Sequence, residues 1–325
     1  MAALFIQYPS WISPYVIEGF PVRWYAVMYL VAFSVAYALF RYQCRNDGVI
    51  GMSPEESQDF FITGILMLLL LARLFSCFFY SDAHYYLTHP WMIVWPFQNG
   101  KFVGLPGMSY HGGVVGAVAG GWIYARRHKR SLLQLADLSC AAIPLGYTFG
   151  RLGNFINAEL YGRVTAGPLG MVFPGAARFP ASLEWVRDIA EKTGINCLPG
   201  TMVNLPRHPS QLYEAFFEGV VLFLLLWFIL RPLKYRKGLP DGTVLAGYLA
   251  GYGFFRFFIE YCRQPDADIG YVLSFGEGSD NIALFTSFLN ISKGQVFCLV
   301  MVLLGIALEC FVFWRRKHEC DRENR

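Results

Sequence analysis

Five ionisable side chains stand out inside strongly apolar stretches of this sequence: Arg73, Asp137, Arg151, Arg256 and Glu260. Such groups are costly to place in lipid and usually carry a function. Guanidinium is planar, permanently charged and shaped to grip a phosphate or carboxylate with two parallel hydrogen bonds. Three arginines outnumber what Glu260 can pair, so an anionic headgroup is the expected missing partner. The plainer reading of Arg256 and Glu260 alone is a local ion pair at i,i+4 spacing.

Three polar segments flank these groups. Gly150-Arg151-Leu152-Gly153-Asn154-Phe155-Ile156-Asn157-Ala158-Glu159 combines glycines, which permit close backbone approach, with donors and acceptors on Arg151, Asn154, Asn157 and Glu159. Its plainer reading is an interfacial helix cap. Tyr110-His111-Gly112-Gly113 sets an imidazole beside two glycines at a helix start, where His111 reads as an interface anchor or as a base. His208-Pro209-Ser210-Gln211-Leu212-Tyr213-Glu214 begins a further helix. Capping alone does not account for Gln211, Tyr213 and Glu214 together. No GxSxG, HExxH or P-loop motif occurs, so the chain brings no recognisable nucleophile of its own. The eight cysteines show no CxxC and no metal-ligand spacing. No metal and no cofactor is expected.

A membrane helix needs ~20 mostly apolar residues. Seven runs qualify as candidates, at 24–40, 60–79, 112–125, 135–151, 211–230, 244–261 and 295–314. The third is short, and the fourth carries Asp137 and Pro144, so both need protein or water beside them. Lys and Arg cluster after the first, third, fifth and seventh runs: Arg41 and Arg45; Arg126, Arg127, Lys129 and Arg130; Arg231, Lys234, Arg236 and Lys237; Arg315, Arg316 and Lys317. The positive-inside rule then puts the N-terminus outside and the C-terminus in the cytoplasm. At 1.5 Å per residue Arg73 lies ~20 Å and Arg256 ~18 Å along outward-running helices. The polar groups therefore converge on the outer half of the bilayer, with Asp137 the exception. Residues 157–208 read as an outer loop or cap with a short amphipathic helix near 183–192, and 262–293 as a polar, glycine-rich loop insertion. Cys197 and Cys262 both fall in these outer loops, which leaves a disulfide between them open.

Composition agrees with this architecture. Of 325 residues, 55% are hydrophobic and only 15% charged, where soluble domains carry about a quarter. The mean hydropathy is +0.38. The net charge of +4 is modest and the basic residues sit in short clusters between apolar runs, a topology signal that gives no nucleic-acid footprint. No basic n-region and small-residue cleavage site flank the first apolar run, so no cleavable signal peptide is expected there. The whole is read as one all-α, seven-helix membrane domain over 1–325.

Taken in order, Arg23-Trp24-Tyr25, Tyr110-His111-Gly112-Gly113, Gly150 through Asn157, Arg207 through Glu214, and Phe255-Arg256 through Glu260 followed by Arg263-Gln264-Pro265-Asp266 resemble the prolipoprotein diacylglyceryl transferase family. The resemblance covers nearly the whole chain. Two regions depart from the family's compact pattern, the outer loop over 164–205 and an enlarged insertion over 268–292.

The resemblance implies a reaction in the bacterial inner membrane, with the site facing the periplasm. Phosphatidylglycerol gives its diacylglyceryl group to the lipobox cysteine thiol of a prolipoprotein; a thioether forms and glycerol phosphate leaves. Arg151 resembles the family's headgroup-binding arginine and Arg256 its second essential one. Asn154, Glu159 and Gly162 match the rest of the signature, and Tyr25 and His111 match residues important in the family. Arg73, Asn157, Gln211, Glu214 and Glu260 are expected to support them. A free thiol has a pKa of ~8.5, so a base or a positive field would help it react. His111 is the candidate base, and Arg151 and Arg256 the field that also stabilises the departing phosphate. The partners implied are phosphatidylglycerol, the lipobox peptide and membrane lipid, with the protein acting as a monomer. The alternatives are a lipid or anion transporter and a structural protein that binds anionic lipid. A transporter would need access to the cytoplasmic side and usually repeats or broken helices, whereas the polar set here is one-sided.

Overall fold

Six of the seven apolar runs lie within a helix of the computed structural model and the remaining one, 244–261, runs two residues past the end of its own; the structure describes residues 5–17, 19, 22–46, 51–98, 100–102, 107–265, 270–275 and 281–323. The helices are α1 (Trp24–Asn46), α2 (Pro54–Phe75, continued by a wide turn Ser76–Tyr80), α3 (Tyr110–Arg127), α4 (Leu132–Ile156), α5 (Glu184–Thr193), α6 (Ser210–Lys237), α7 (Thr243–Ile259) and α8 (Lys293–Glu323). Asp266 and residues 268–269 and 276–280 of the insertion lie outside the described residues.

Among the described residues, five helices are long and apolar enough to cross a membrane: α1, α2 with its extension, α4, α6 and α8. The chain is a mostly helical, multi-pass membrane protein. The other two runs fall short of that measure for different reasons. In α3, glycines replace large apolar side chains and His111, Arg126 and Arg127 sit at its ends. The 17 residues of α7 rise only ~26 Å against a hydrocarbon core of ~30 Å.

The chain forms two compact units, one comprising Met1–Ala36 with Cys140–Arg325, the other Tyr37–Ser139. In the second unit, α2 starts on a reciprocal cap in which Ser53 and Glu56 bond to each other's backbone N–H. Helices α2 and α3 then run antiparallel with their backbones touching. A Cβ on Gly116 would stand 2.2 Å from the Met67 carbonyl oxygen, and one on Gly112 2.4 Å from that of Leu71. Small residues at such seams let membrane helices associate by close packing. Phe40, Tyr124, Leu135 and Leu138 build the core at the other end, where Arg130 pairs with Glu56 at 2.9 Å. We expect Gly116→Ala to destabilise the protein by about 3 kcal/mol, the upper range for overpacking. An unchanged thermal midpoint in detergent would show that the seam can open without cost.

In the first unit, the Tyr8 hydroxyl donates to the carbonyls of Phe155 and Ile156 at the end of α4. Ile6–Gln7 pairs in parallel with Met171–Val172. The amphipathic α5 buries Val186, Ile189 and Ala190 against Val164, Ala181, Val203, Leu205 and Ala283. Gly194 ends it in the left-handed conformation (φ 73°) that glycine adopts without strain. The described part of the 262–293 insertion packs into this lobe. The Val164 N–H donates to the Ala283 carbonyl at 2.8 Å, and Tyr271–Ser274 pairs with Asn290–Ser292. Two buried arginines fasten the lobe to the chain leaving α7. Arg163 donates to the Arg263 and Leu284 carbonyls and to Tyr271, and Arg207 to Gln264 Oε1 at 2.7 Å. Cys197 and Cys262 are both free, so the disulfide left open by the sequence does not form.

Candidate active site

The i,i+4 spacing of Tyr147 and Arg151, of Glu214 and Glu218, and of Arg256 and Glu260 puts each pair on one face of its helix. These faces meet at the carboxyl ends of α4 and α7 and the amino end of α6. Glu214, whose side chain is fully buried, is the hub. Its Oε2 lies 2.8 Å from Arg151 Nε and 3.1 Å from Arg256 Nη1, and its Oε1 3.2 Å from Arg263 Nη1. Arg256 also faces Glu218 at 3.6 Å and Glu260 at 3.2 Å. The Tyr147 hydroxyl accepts from Arg151 Nε at 2.6 Å and donates to Glu218 Oε2 at 2.6 Å.

Local structure explains how these groups are aimed. Helix α6 is α-helical over Ser210–Glu214 and then opens into wide π-type turns over Ala215–Val221 and Leu225–Leu230. Such turns are rare and concentrate at functional sites. Ser210 does not cap the helix; its hydroxyl donates to the Leu160 carbonyl instead. Gly219 admits Thr148 of α4, whose Oγ1 would lie 2.1 Å from an added Cβ. At the start of α8, Ser292 and Gln295 cap each other, and the Ser292 hydroxyl donates to Glu260 Oε1 at 3.2 Å.

The loop after α4 carries the rest of the signature. Ala158 (φ 52°) and Leu160 (φ 56°) take left-handed backbone conformations, a strain that tends to collect at functional sites. Between them Glu159 Oε1 accepts from Asn154 Nδ2 at 3.0 Å and from Asn157 Nδ2 at 3.4 Å, and its carbonyl accepts from Gln211 Nε2 at 2.6 Å. Gly162 runs so close to the chain after α7 that a Cβ would stand 2.1 Å from the Cys262 carbonyl oxygen. Tyr25 packs on Gly153 and bonds the Tyr29 hydroxyl at 3.0 Å.

The structure thus brings Arg151, Asn154, Asn157, Glu159, Gln211, Glu214, Arg256 and Glu260 into one contiguous polar network. His111 and Arg73 belong to the other compact unit. There His111 Nδ1 meets the Tyr80 hydroxyl at 3.0 Å. Arg73 donates to the backbone carbonyls of Ile93, Met92 and Gly107, which corrects its reading as an arginine awaiting an anionic partner: it ties down the segment between α2 and α3.

A second correction concerns charge balance. The arginines are not left with Glu260 alone, because Glu214 and Glu218 also face them and Arg263 joins on the cationic side. Sequence reasoning missed Glu218, Tyr147 and Arg263. Glu214 and Glu218 both lie within the apolar run 211–230 and belonged among the ionisable groups found in such runs. The two principal arginines are engaged differently. Arg256 is ringed by three carboxylates. Arg151 spends its Nε edge on Tyr147 and Glu214, and among the described residues its terminal nitrogens meet only Asn154 Oδ1, at 3.4 Å. Arg256 Nη1, Glu214 Oε2, Glu218 Oε1 and Glu260 Oε2 are buried without a hydrogen bond of good geometry. Among the described residues no His, Cys, Asp and Glu cluster has the form of a metal site.

A family model described as prolipoprotein diacylglyceryl transferase matches residues 14–311. Proteins named phosphatidylglycerol–prolipoprotein diacylglyceryl transferase are similar throughout. The one from Treponema pallidum is 51% identical over 317 residues, covering 93% of this chain and 94% of its own. The one from Treponema denticola is 48% identical over 332 residues, covering 97% and 96%. The one from Chlorobaculum tepidum is 40% identical over 309 residues, covering 92% and 90%.

Proposed function

The chain belongs to the prolipoprotein diacylglyceryl transferase family, and we propose that it transfers the diacylglyceryl group of phosphatidylglycerol to the lipobox cysteine of a prolipoprotein. The sulfur takes the diacylglyceryl carbon, the bond from that carbon to the phosphate oxygen breaks, and glycerol phosphate leaves with the electron pair. The observation that carries this reading is the posture of Arg151. Its Nε edge is fixed by Tyr147 and Glu214 while, among the described residues, its fork end is engaged only by Asn154. A fork held from behind suits a phosphodiester, whose growing negative charge on departure it would stabilise. Arg256, enclosed by carboxylates, orders the cluster around Glu214. The buried polar atoms that lack good hydrogen bonds leave the network able to rearrange around an anion.

Asn154 and Glu159 shape the headgroup site beside Arg151, with Gly162 keeping the outer lobe close to it. Tyr25 lines the same region. His111 is the base for the thiol on sequence grounds. All seven helices cross the membrane, α3 and α7 shielded by their neighbours, with the N-terminus in the periplasm, the C-terminus in the cytoplasm, and the site opening to the periplasmic side of the inner membrane. One chain supplies every member of the cluster, so a monomer suffices.

The test incubates the purified protein in detergent with phosphatidylglycerol and a lipobox peptide, then weighs the peptide by mass spectrometry. A diacylglyceryl increment on the cysteine is expected. An unmodified peptide, with phosphatidylglycerol still bound, would favour a lipid transporter or a structural lipid-binding protein.

A further inference from the structure

The transfer reaction requires a fork end on Arg151, but the geometry also raises the question of what keeps that end from closing on Glu214. A guanidinium beside a fully buried carboxylate ordinarily pairs with it through two nitrogens. Here the ion pair runs through Nε, 2.8 Å from Glu214 Oε2, and that oxygen accepts no hydrogen bond from the terminal nitrogens. The same Nε donates to the Tyr147 hydroxyl at 2.6 Å, and the Arg151 guanidinium carbon lies 4.8 Å from the centre of the Tyr147 ring. Tyr147 therefore holds Arg151 by its edge and by its face. The tyrosine is itself oriented, since its hydroxyl donates to Glu218 Oε2 at 2.6 Å and its ring meets that of Tyr252 edge-on at 5.9 Å. Glu218 sits in the wide turn Ala215–Val221, its side chain fully buried. Its second oxygen faces Arg256 Nη1 at 3.6 Å and has no hydrogen-bond partner. Its bond to Tyr147 is therefore the principal hydrogen bond it makes.

We propose that Tyr147 and Glu218 are a positioning pair: Glu218 fixes the Tyr147 hydroxyl, and Tyr147 holds Arg151 by Nε so that its terminal nitrogens stay available to the phosphodiester. Neither residue touches substrate. The pair acts through Arg151 and rests on the headgroup reading of that arginine given above.

Tyr147→Phe keeps the ring and removes the hydroxyl. Arg151 then slides into two-nitrogen pairing with Glu214. We expect kcat for transfer to fall about 10- to 100-fold, the range of one lost hydrogen bond to a charged group, with KM for the lipobox peptide unchanged. The dissociation constant for a short-chain phosphatidylglycerol should rise over the same range. Glu218→Gln retains an oxygen that accepts from the Tyr147 hydroxyl and should stay within about threefold of the parent in kcat, whereas Glu218→Leu should match Tyr147→Phe. Combining Tyr147→Phe with Glu218→Leu should cost no more than either alone, as residues acting through one bond are non-additive. Multiplying losses, or equal losses in Glu218→Gln and Glu218→Leu, would overturn the relay. So would a Tyr147→Phe protein with parental kcat and lipid affinity. Should Glu218→Leu fail to fold in a thermal scan, Tyr147→Phe and Glu218→Gln decide the matter between them. The lipid-binding arm separates this idea from the transferase reading. An unmodified peptide with the parent protein sinks the latter, while weakened lipid binding by Tyr147→Phe still supports the pair.

Discussion

Replacing Arg151 by lysine should cut kcat/KM for diacylglyceryl transfer by about a hundredfold or more while the protein remains folded. Lysine keeps the charge but is a point donor on a flexible stem. Arg151 now uses Nε to satisfy Tyr147 and Glu214, leaving two further nitrogens beyond them. A lysine ammonium would settle on Glu214 and have nothing left to project. What is lost is donation to the phosphate oxygen as it takes up charge, and removing one such preorganised donor costs about 3–4 kcal/mol in the transition state. The measurement is steady-state transfer to a lipobox peptide in detergent, paired with a thermal scan. Near-parental turnover in the lysine variant would take Arg151 out of the chemistry and the headgroup reading with it.

Loss of the Glu214 carboxylate should produce the largest fall in stability of any single change in the cluster. Its two oxygens face Arg151, Arg256 and Arg263, and its side chain is fully buried. Glu214→Gln preserves the shape and leaves three guanidinium groups sharing Glu218 and Glu260. Breaking a buried pair by removing one partner costs about 3–5 kcal/mol, because the charge left behind cannot be hydrated. Thermal unfolding in detergent should show a drop in midpoint on the order of 10 °C, with transfer activity lost as well. Glu260→Gln is the natural control. Glu260 faces Arg256 at 3.2 Å and Arg263 only at 4.0 Å, and both arginines keep Glu214, so the fall should be smaller. A Glu214→Gln protein as stable as the Glu260→Gln protein would mean that the arginines repack around the remaining carboxylates.

Much of this architecture could be read from the chain. Long apolar runs separated by Lys and Arg clusters located every major helix, because a membrane leaves a segment little choice but to satisfy its own backbone. The family and its reaction were legible too, since Gly150 through Glu159 and His208 through Glu214 are long, ordered motifs. The partnerships were harder to see. Arg73 looks like its fellow arginines in sequence, yet its donors are taken by carbonyls 19, 20 and 34 residues away, a loop geometry that periodicity does not report. The charge balance is not visible in the sequence: Glu214 stands in a helix-start motif and Glu218 is one polar residue in an apolar helix, and it is the packing of α6 that sets both carboxylates against the arginines. The outer segments read as a cap and a separate insertion, while their joint core depends on Val164 meeting Ala283, far apart along the chain.

The wide turns of α6 have a consequence for how this protein can change over generations. An α-helix rotates by about 100° with every residue, so a lineage that lost one position between Ala215 and Val221 would swing Glu214 away from the arginines it pairs and Gln211 away from the Glu159 carbonyl. Point substitutions on the lipid-facing side of that stretch, such as at the exposed Phe216, leave this alignment intact; a change in its length does not. Selection here acts on the number of residues as strictly as on their identity. Homologues are therefore expected to vary freely in the side chains α6 shows to the acyl chains while the count from Gln211 to Leu230 stays constant.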